Sequence, residues 1–182
     1  AHAGIAEAIA LLHHFFPRED HPGDLEQADA ASLKALELDP DLPDAHATRG
    51  FVLWLLNRFP EAEAEFQRAI AMDPNHFEAR YLYGRACFQR GDLERAATLF
   101  DEASRVREDH EASYFTAQTM SALKRPADAN AAYRRALPVI ERHLQLNPDD
   151  ARALTMGAVA FSRLGYRSRG LEWGERAIAV DP

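Results

Sequence analysis

Small, apolar and aromatic side chains return along this chain at one fixed interval. The segments ALELDP (35–40), AIAMDP (69–74), LQLNPD (144–149) and AIAVDP (177–182) are near copies of one another. Pro40 and Pro74 lie 34 residues apart, as do Pro148 and Pro182, and the 74 residues from Pro74 to Pro148 make two such periods with six extra. Aligned on those prolines, Gly50, Gly84, Ala117 and Ala158 share the eighth place of a unit. Ala62, Ala96, Ala129 and Gly170 share the twentieth, and Ala69, Ala103, Ala136 and Ala177 the twenty-seventh. Phe66, Phe100 and Tyr133 stand three residues before that last alanine. Small residues at two places let antiparallel helices approach closely, and an aromatic ring one turn on fills the space between them. Proline closes each unit because it cannot continue a helix and disfavours helix in the residue before it.

The elements follow from this spacing. Five antiparallel pairs, each a helix A and a helix B, are predicted at about 5–16 with 24–38, 43–57 with 60–72, 76–90 with 92–106, 109–124 with 126–146, and 149–165 with 168–180. Gly91 and Gly165 fall where a helix end wants a left-handed residue. Pro60 and Pro126 fall near a first helical position, where the missing N–H costs nothing. Two departures stand out. The first pair carries an insertion, HHFFPREDHP at 13–22, and the fourth B helix is about two turns too long and contains Pro138, which predicts a kink.

A 34-residue unit with these small and aromatic places resembles the tetratricopeptide repeat. The resemblance is strongest over 43–110, where two gapless units run back to back, weaker over 111–148, and weakest at 1–40. It implies an all-α, right-handed α-solenoid, a tetratricopeptide superhelix of about five helix pairs. Its units fall at about 1–42, 43–76, 77–110, 111–150 and 151–182, in one solenoid cut from a longer chain. It also implies a protein-interaction scaffold that takes a partner segment in the groove lined by the A helices. The alternative is a regulatory or assembly segment of a larger signalling enzyme, since the units loosely resemble the repeat tails of bacterial nucleotide cyclases and Ser/Thr kinases. That alternative places catalysis outside these residues.

Family usage puts ligand contacts at fixed A-helix places, here Asp44, Ala47, Phe51, Trp54 and Leu55, then Glu78, Tyr81, Arg85, Phe88 and Gln89. The fourth pair supplies Tyr114, Gln118 and Ser121, and the fifth supplies Arg152, Thr155, Val159, Ser162 and Arg163. Phe51, Trp54, Tyr81, Phe88 and Tyr114 would line an aromatic trough with Arg85 and Arg163 as charge anchors. The competing reading packs the same rings between neighbouring A helices. Relatives that grip a C-terminal carboxylate use Lys and Asn at set A-helix places. Those places here are apolar, acidic or aromatic, so a chaperone-tail ligand is not expected.

Composition narrows the partner class. The 182 residues carry a net charge of −8, which argues against nucleic acid as a partner. Residues 1–110 hold 21 carboxylates against 11 Lys and Arg, while 111–182 hold 8 against 10, so the acidity is concentrated toward the N-terminus. No run of 18 apolar residues exists, so no membrane span is expected. A single cysteine, Cys87, excludes an internal disulfide and fits a reducing compartment, with a buried, inert thiol as its expected state. A cytoplasmic location is expected, although the parent protein could be exported or tethered to a membrane.

Candidate chemistry is sparse. No Gly-rich phosphate loop, nucleophile elbow or HExxH occurs, so neither cofactor nor catalytic residue is expected. His2, His13, His14 and His21 gather near the insertion with Glu19 and Asp20, but a metal needs several donors converging on one point, and a solvated loop is the expected state. Glu61, Glu63 and Glu65 read as solvated helix surface. The last helix, 168–180, presents Leu171, Trp173, Ile178 and Val180. Such a face predicts further chain beyond Pro182 or self-association through that end.

Overall fold

A computed structural model describes residues 1–15 and 23–181. Most of the 13–22 insertion, with Glu19, Asp20 and His21, lies outside the described residues. Among those described are ten helices, α1 His2–Phe15, α2 Asp24–Leu38, α3 Pro43–Leu55, α4 Phe59–Met72, α5 Phe77–Arg90, α6 Leu93–Val106, α7 His110–Ala122, α8 Pro126–Leu146, α9 Ala151–Arg163 and α10 Arg167–Val180. The ends predicted from the sequence depart from these by no more than three residues. The fold is all-α, of the tetratricopeptide solenoid class. The helices form two compact units, Ala1–Arg90 with α1–α5 and Gly91–Pro182 with α6–α10.

In the first unit α1 packs on α2 and α3 on α4, while the A helices α1, α3 and α5 neighbour one another in turn. Close approach depends on one glycine. A Cβ on Gly50 of α3 would sit 2.8 Å from two carbons of the Phe66 ring, so α4 can press its aromatic onto α3 only because that place is bare. Phe66 is fully buried and stacks on Tyr83 with centroids 5.6 Å apart. Buried Arg49 ties α3 to α2: its Nη1 donates to the Asp29 carboxylate and to Ser32 Oγ at 2.9 Å. The charge is kept inside because its donors are paired.

The second unit repeats the scheme around Tyr133, Ile140, Leu154, Phe161 and Trp173, all buried. Here the sequence register needs correction. Ala158 was expected in the small eighth place of the last pair, but Gly157 receives the ring, and a Cβ there would lie 2.3 Å from Trp173. In α10 the ring stands one residue earlier than in the other units, and the bare place in α9 shifts with it. Trp173 is therefore core, not part of an exposed end face, whereas Leu171, Ile178 and Val180 are exposed. α8 runs through Pro138 as one 21-residue helix.

Turn chemistry explains the Asp-Pro signature. Asp73 caps the end of α4, and its Oδ1 accepts the Asn75 N–H at 2.9 Å, an Asx turn with proline at its centre. Asp39 does the same with the Asp41 N–H at 3.3 Å. The A helices α3, α5, α7 and α9 end differently, on a left-handed residue. Gly91 and Gly165 have φ of 81° and 89°, and Asn57 and Lys124 occupy the same conformation at 60° and 57°. Beyond Asn57, the Arg58 N–H reaches back to Leu53 O at 2.8 Å, closing a six-residue loop, and Arg125 to Met120 O repeats it at 3.0 Å.

Candidate functional site

In the first unit a pocket of about 350 Å³ opens between α1, α3 and α5. Its carboxylates come one from each helix: Glu7 from α1, Asp44 and Glu78 from the first turns of α3 and α5. Leu42, Phe51 and Leu82 supply apolar walls, and Ala47 and Thr48 leave room between them. Asp44 and Glu78 hold equivalent places one 34-residue period apart, so the repeat itself stacks two acids along this face. Burial raises the Glu7 pKa, and the neighbouring Glu78 and Asp44 charges raise it further. Three carboxylates thus meet around a half-enclosed volume with one histidine between them.

That histidine is His76, which is buried and precedes α5. Its Nδ1 accepts the Ala79 N–H at 3.2 Å, capping the helix, which leaves the Nε2 proton to donate to Asp44 Oδ1 at 3.1 Å. Glu78 Oε2 stands 3.8 Å from the same ring. His76 therefore orients the acidic wall from below while holding the start of α5. Neither Glu7 nor His76 was singled out from the sequence. Only the excess of acid over base in residues 1–110 pointed this way, because the first unit aligns weakly and a cap histidine has no spacing signal.

The expected aromatic trough is divided by the structure. Phe51 and Trp54 are buried at 1% and 4% exposure, and Tyr114 is buried at 7%, so these three do not stand exposed in a trough but pack inward, Phe51 still lining the pocket. The reason is packing between A helices: Phe51 and Trp54 lie 5.7 Å apart, and the His14 ring of α1 sits 6.0 Å and 5.5 Å from them. Trp54 Nε1 donates to Gln89 Oε1 at 2.7 Å, locking α3 to α5. Tyr81 is half-buried and stacks on Phe77, and Arg85 Nη1 donates to its hydroxyl at 3.0 Å. Phe51, Trp54, Tyr81, Arg85 and Gln89 thus belong to one continuous A-helix surface, of which only Tyr81, Arg85 and Gln89 reach solvent; Phe88 is half-buried on the same helix.

In the second unit Tyr114 joins the core beside Tyr133, with centroids 6.3 Å apart. Burial and the neighbouring Tyr133 push its phenol up to about 12, with Arg163 pulling the other way. Gln118 is half-buried, while Thr155 and Arg163 are exposed, so these three keep a polar A-helix surface on α7 and α9. Cys87 is buried, as expected. No helix among the described residues is long and apolar enough to cross a membrane.

Residues 48–109 match the tetratricopeptide repeat family. The chain is 28% identical over 102 residues to human DnaJ homolog subfamily C member 7, covering 56% of this chain and 21% of that protein. It is 29% identical over 124 residues to the type IV pilus assembly protein PilF of Pseudomonas aeruginosa, covering 63% of this chain and 47% of that one. It therefore spans about a fifth of the first relative's length and about half of the second's. Among solved structures, Pseudomonas aeruginosa PilF superposes with a TM-score of 0.69 at 20% identity, over all of this chain and 78% of that one. YrrB, a tetratricopeptide protein with an unusual peptide-binding site, superposes with a TM-score of 0.56 at 21% identity, over 97% of this chain and 85% of that one. With the 34-residue period, the glycine–aromatic contacts and the paired helices, these likenesses support a tetratricopeptide repeat assignment, carried by the family match over residues 48–109 and by the shared fold over the rest.

Proposed function

We propose that this protein-interaction module binds a basic segment of a partner protein along the A-helix surface of residues 1–90, seating a lysine or arginine side chain in the pocket between α1, α3 and α5. The observation that carries this reading is the convergence of Glu7, Asp44 and Glu78 on one cavity with apolar walls. A cationic head offsets the repulsion among the carboxylates, and its methylene stem lies against Leu42 and Leu82. Tyr81, Arg85 and Gln89, on the helix that carries Glu78, extend the contact along α5. Gln118, Thr155 and Arg163 give the second unit a polar surface for flanking segments. The exposed Leu171 and Ile178 of α10 support a second contact, self-association through that helix.

Fluorescence polarisation with a labelled, N-acetylated oligo-arginine peptide tests the first reading. Asp44→Asn with Glu78→Gln is expected to weaken binding about tenfold, with helicity unchanged, while an oligo-glutamate peptide does not bind. Equal affinity of parent and double variant would remove the pocket from the account.

A further inference from the structure

A second cluster of chemistry-bearing side chains lies in the other unit, away from every place that family usage assigns to ligands. His110 opens α7, His143 lies in the last turn of α8, and Asp150 caps the start of α9. The three come from three different helices, and no two of their ligand atoms lie more than 4.8 Å apart. The imidazoles stack with centroids 3.7 Å apart, and His143 Nε2 stands 2.7 Å from Asp150 Oδ2. All three are half-buried, which leaves a route to solvent.

We propose that His110, His143 and Asp150 form a site for a divalent transition-metal ion, Zn²⁺ before others, that fastens α7, α8 and α9 to one another. Two neutral imidazoles and one carboxylate are a donor set for zinc and its neighbours, and a fourth position stays open to water. Tetrahedral zinc, with bonds of about 2.0–2.1 Å, spaces its ligand atoms about 3.3 Å apart. The His143–Asp150 contact, now 2.7 Å, has to open by about half an ångström to admit the ion, and the His110 ligand atom, within 4.8 Å of the others, has to close by up to about 1.5 Å. Turning the two imidazoles out of their stack is the movement that brings the ligand atoms together.

The carboxylate is already held for this role. Asp150 Oδ1 accepts the Ala153 N–H at 2.9 Å, which fixes the side chain and turns Oδ2 toward His143. To bind through Nε2, the neutral His143 ring carries its proton on Nδ1 instead, and the hydrogen bond to Asp150 gives way to coordinate bonds from the three side chains. The C-terminal end of α8, where His143 stands, adds a partial negative charge beside the ion.

The test uses the full 182-residue chain, purified without a polyhistidine tag and stripped with chelator. Calorimetric titration with ZnCl₂ should give one saturable site, and zinc should raise the melting temperature of the chain in a concentration-dependent way. Mg²⁺ and Ca²⁺, which prefer all-oxygen ligands, should do neither. Co²⁺ should develop visible absorption of a low-symmetry nitrogen–oxygen site. His143→Gln should weaken zinc binding at least about tenfold, and so should Asp150→Asn, which keeps the helix cap and so keeps the fold. Replacing His2, His13 and His14 together by Gln should leave the affinity within about twofold. Absence of a saturable zinc site, binding indifferent to both His143→Gln and Asp150→Asn, or loss of binding in the N-terminal triple variant would each overturn the assignment. None of these outcomes bears on the basic-peptide pocket, which lies in the other unit.

Discussion

Gly50 shows how a single missing side chain sets a helix separation. With the Phe66 ring 2.8 Å from where its Cβ would stand, Gly50→Leu forces either the ring off its rotamer or α4 away from α3. A loss of about 1–3 kcal/mol is expected in urea unfolding, and a neutral result would mean the ring has free space to move into. Lys124 illustrates the opposite case. It holds φ of 57° at the end of α7, the conformation that glycine supplies at Gly91 and Gly165, so a side chain is strained where none is needed. Lys124→Gly is expected to stabilise the fold by up to about 1 kcal/mol, whereas Gly165→Ala should destabilise it by a similar amount. Thermal melts of the pair decide this, and a Lys124→Gly variant that melts lower than its parent contradicts it.

At the scale of the helices, ends matter as much as faces. Asp109 precedes α7, and its Oδ1 accepts the Ala112 N–H at 2.9 Å, satisfying an amide that the helix leaves without a partner. Asp109→Ala should cost about 1 kcal/mol and Asp109→Asn much less, and equal melting temperatures for the two would show the cap to be dispensable. α1 carries a different kind of strain, because Glu7 is pressed toward the carboxylates of α3 and α5. Its folded-state carboxyl titrates above the ordinary 4.5, through burial first and the Glu78 and Asp44 charges second. The folded chain therefore holds that proton more tightly than the unfolded one, so stability falls as pH rises from the ordinary carboxylate range through the raised one. Glu7→Gln should raise the melting temperature at pH 7 and lose that advantage near about pH 3, where the parent carboxyl is protonated in both states. An unchanged pH profile would mean that α1 does not crowd its charge against the other two.

For the molecule as a whole, charge is unevenly shared between the two compact units. Residues 1–90 carry 15 carboxylates against 8 Lys and Arg, a net of −7, while 91–182 carry 14 against 13, a net of −1. Association of basic peptides with the first unit should weaken steeply as ionic strength rises past about 0.15 M, where screening acts within about 8 Å. Binding that is indifferent to salt between low and high concentration would show that apolar contact, not charge, holds the partner. Self-association through Leu171 and Ile178 should respond in the other direction, persisting in salt and disappearing in Leu171→Glu. Sedimentation of the two proteins distinguishes these behaviours.

Repetition made the architecture readable in advance. A period of 34, the Asp-Pro closures and the recurring small places constrain helix length, pairing and class, because each is enforced locally by backbone sterics and by contact between chain neighbours. The same regularity misled at particular residues. Phe51 and Trp54 sit at places that other repeats turn outward, yet a histidine of α1 covers both, and only packing across 37 or more residues of sequence could show it. Gly157 and Trp173 slipped one place from the pattern together, since a bulky ring and its bare seat need to match each other rather than a register. Glu7 joins Asp44 and Glu78 from helices far apart in the chain, and His110 joins His143 and Asp150 from three consecutive elements. Spacing along a sequence records which residues share a helix face; convergence between faces depends on how side chains fill the space between helices, and that is a property of the folded molecule.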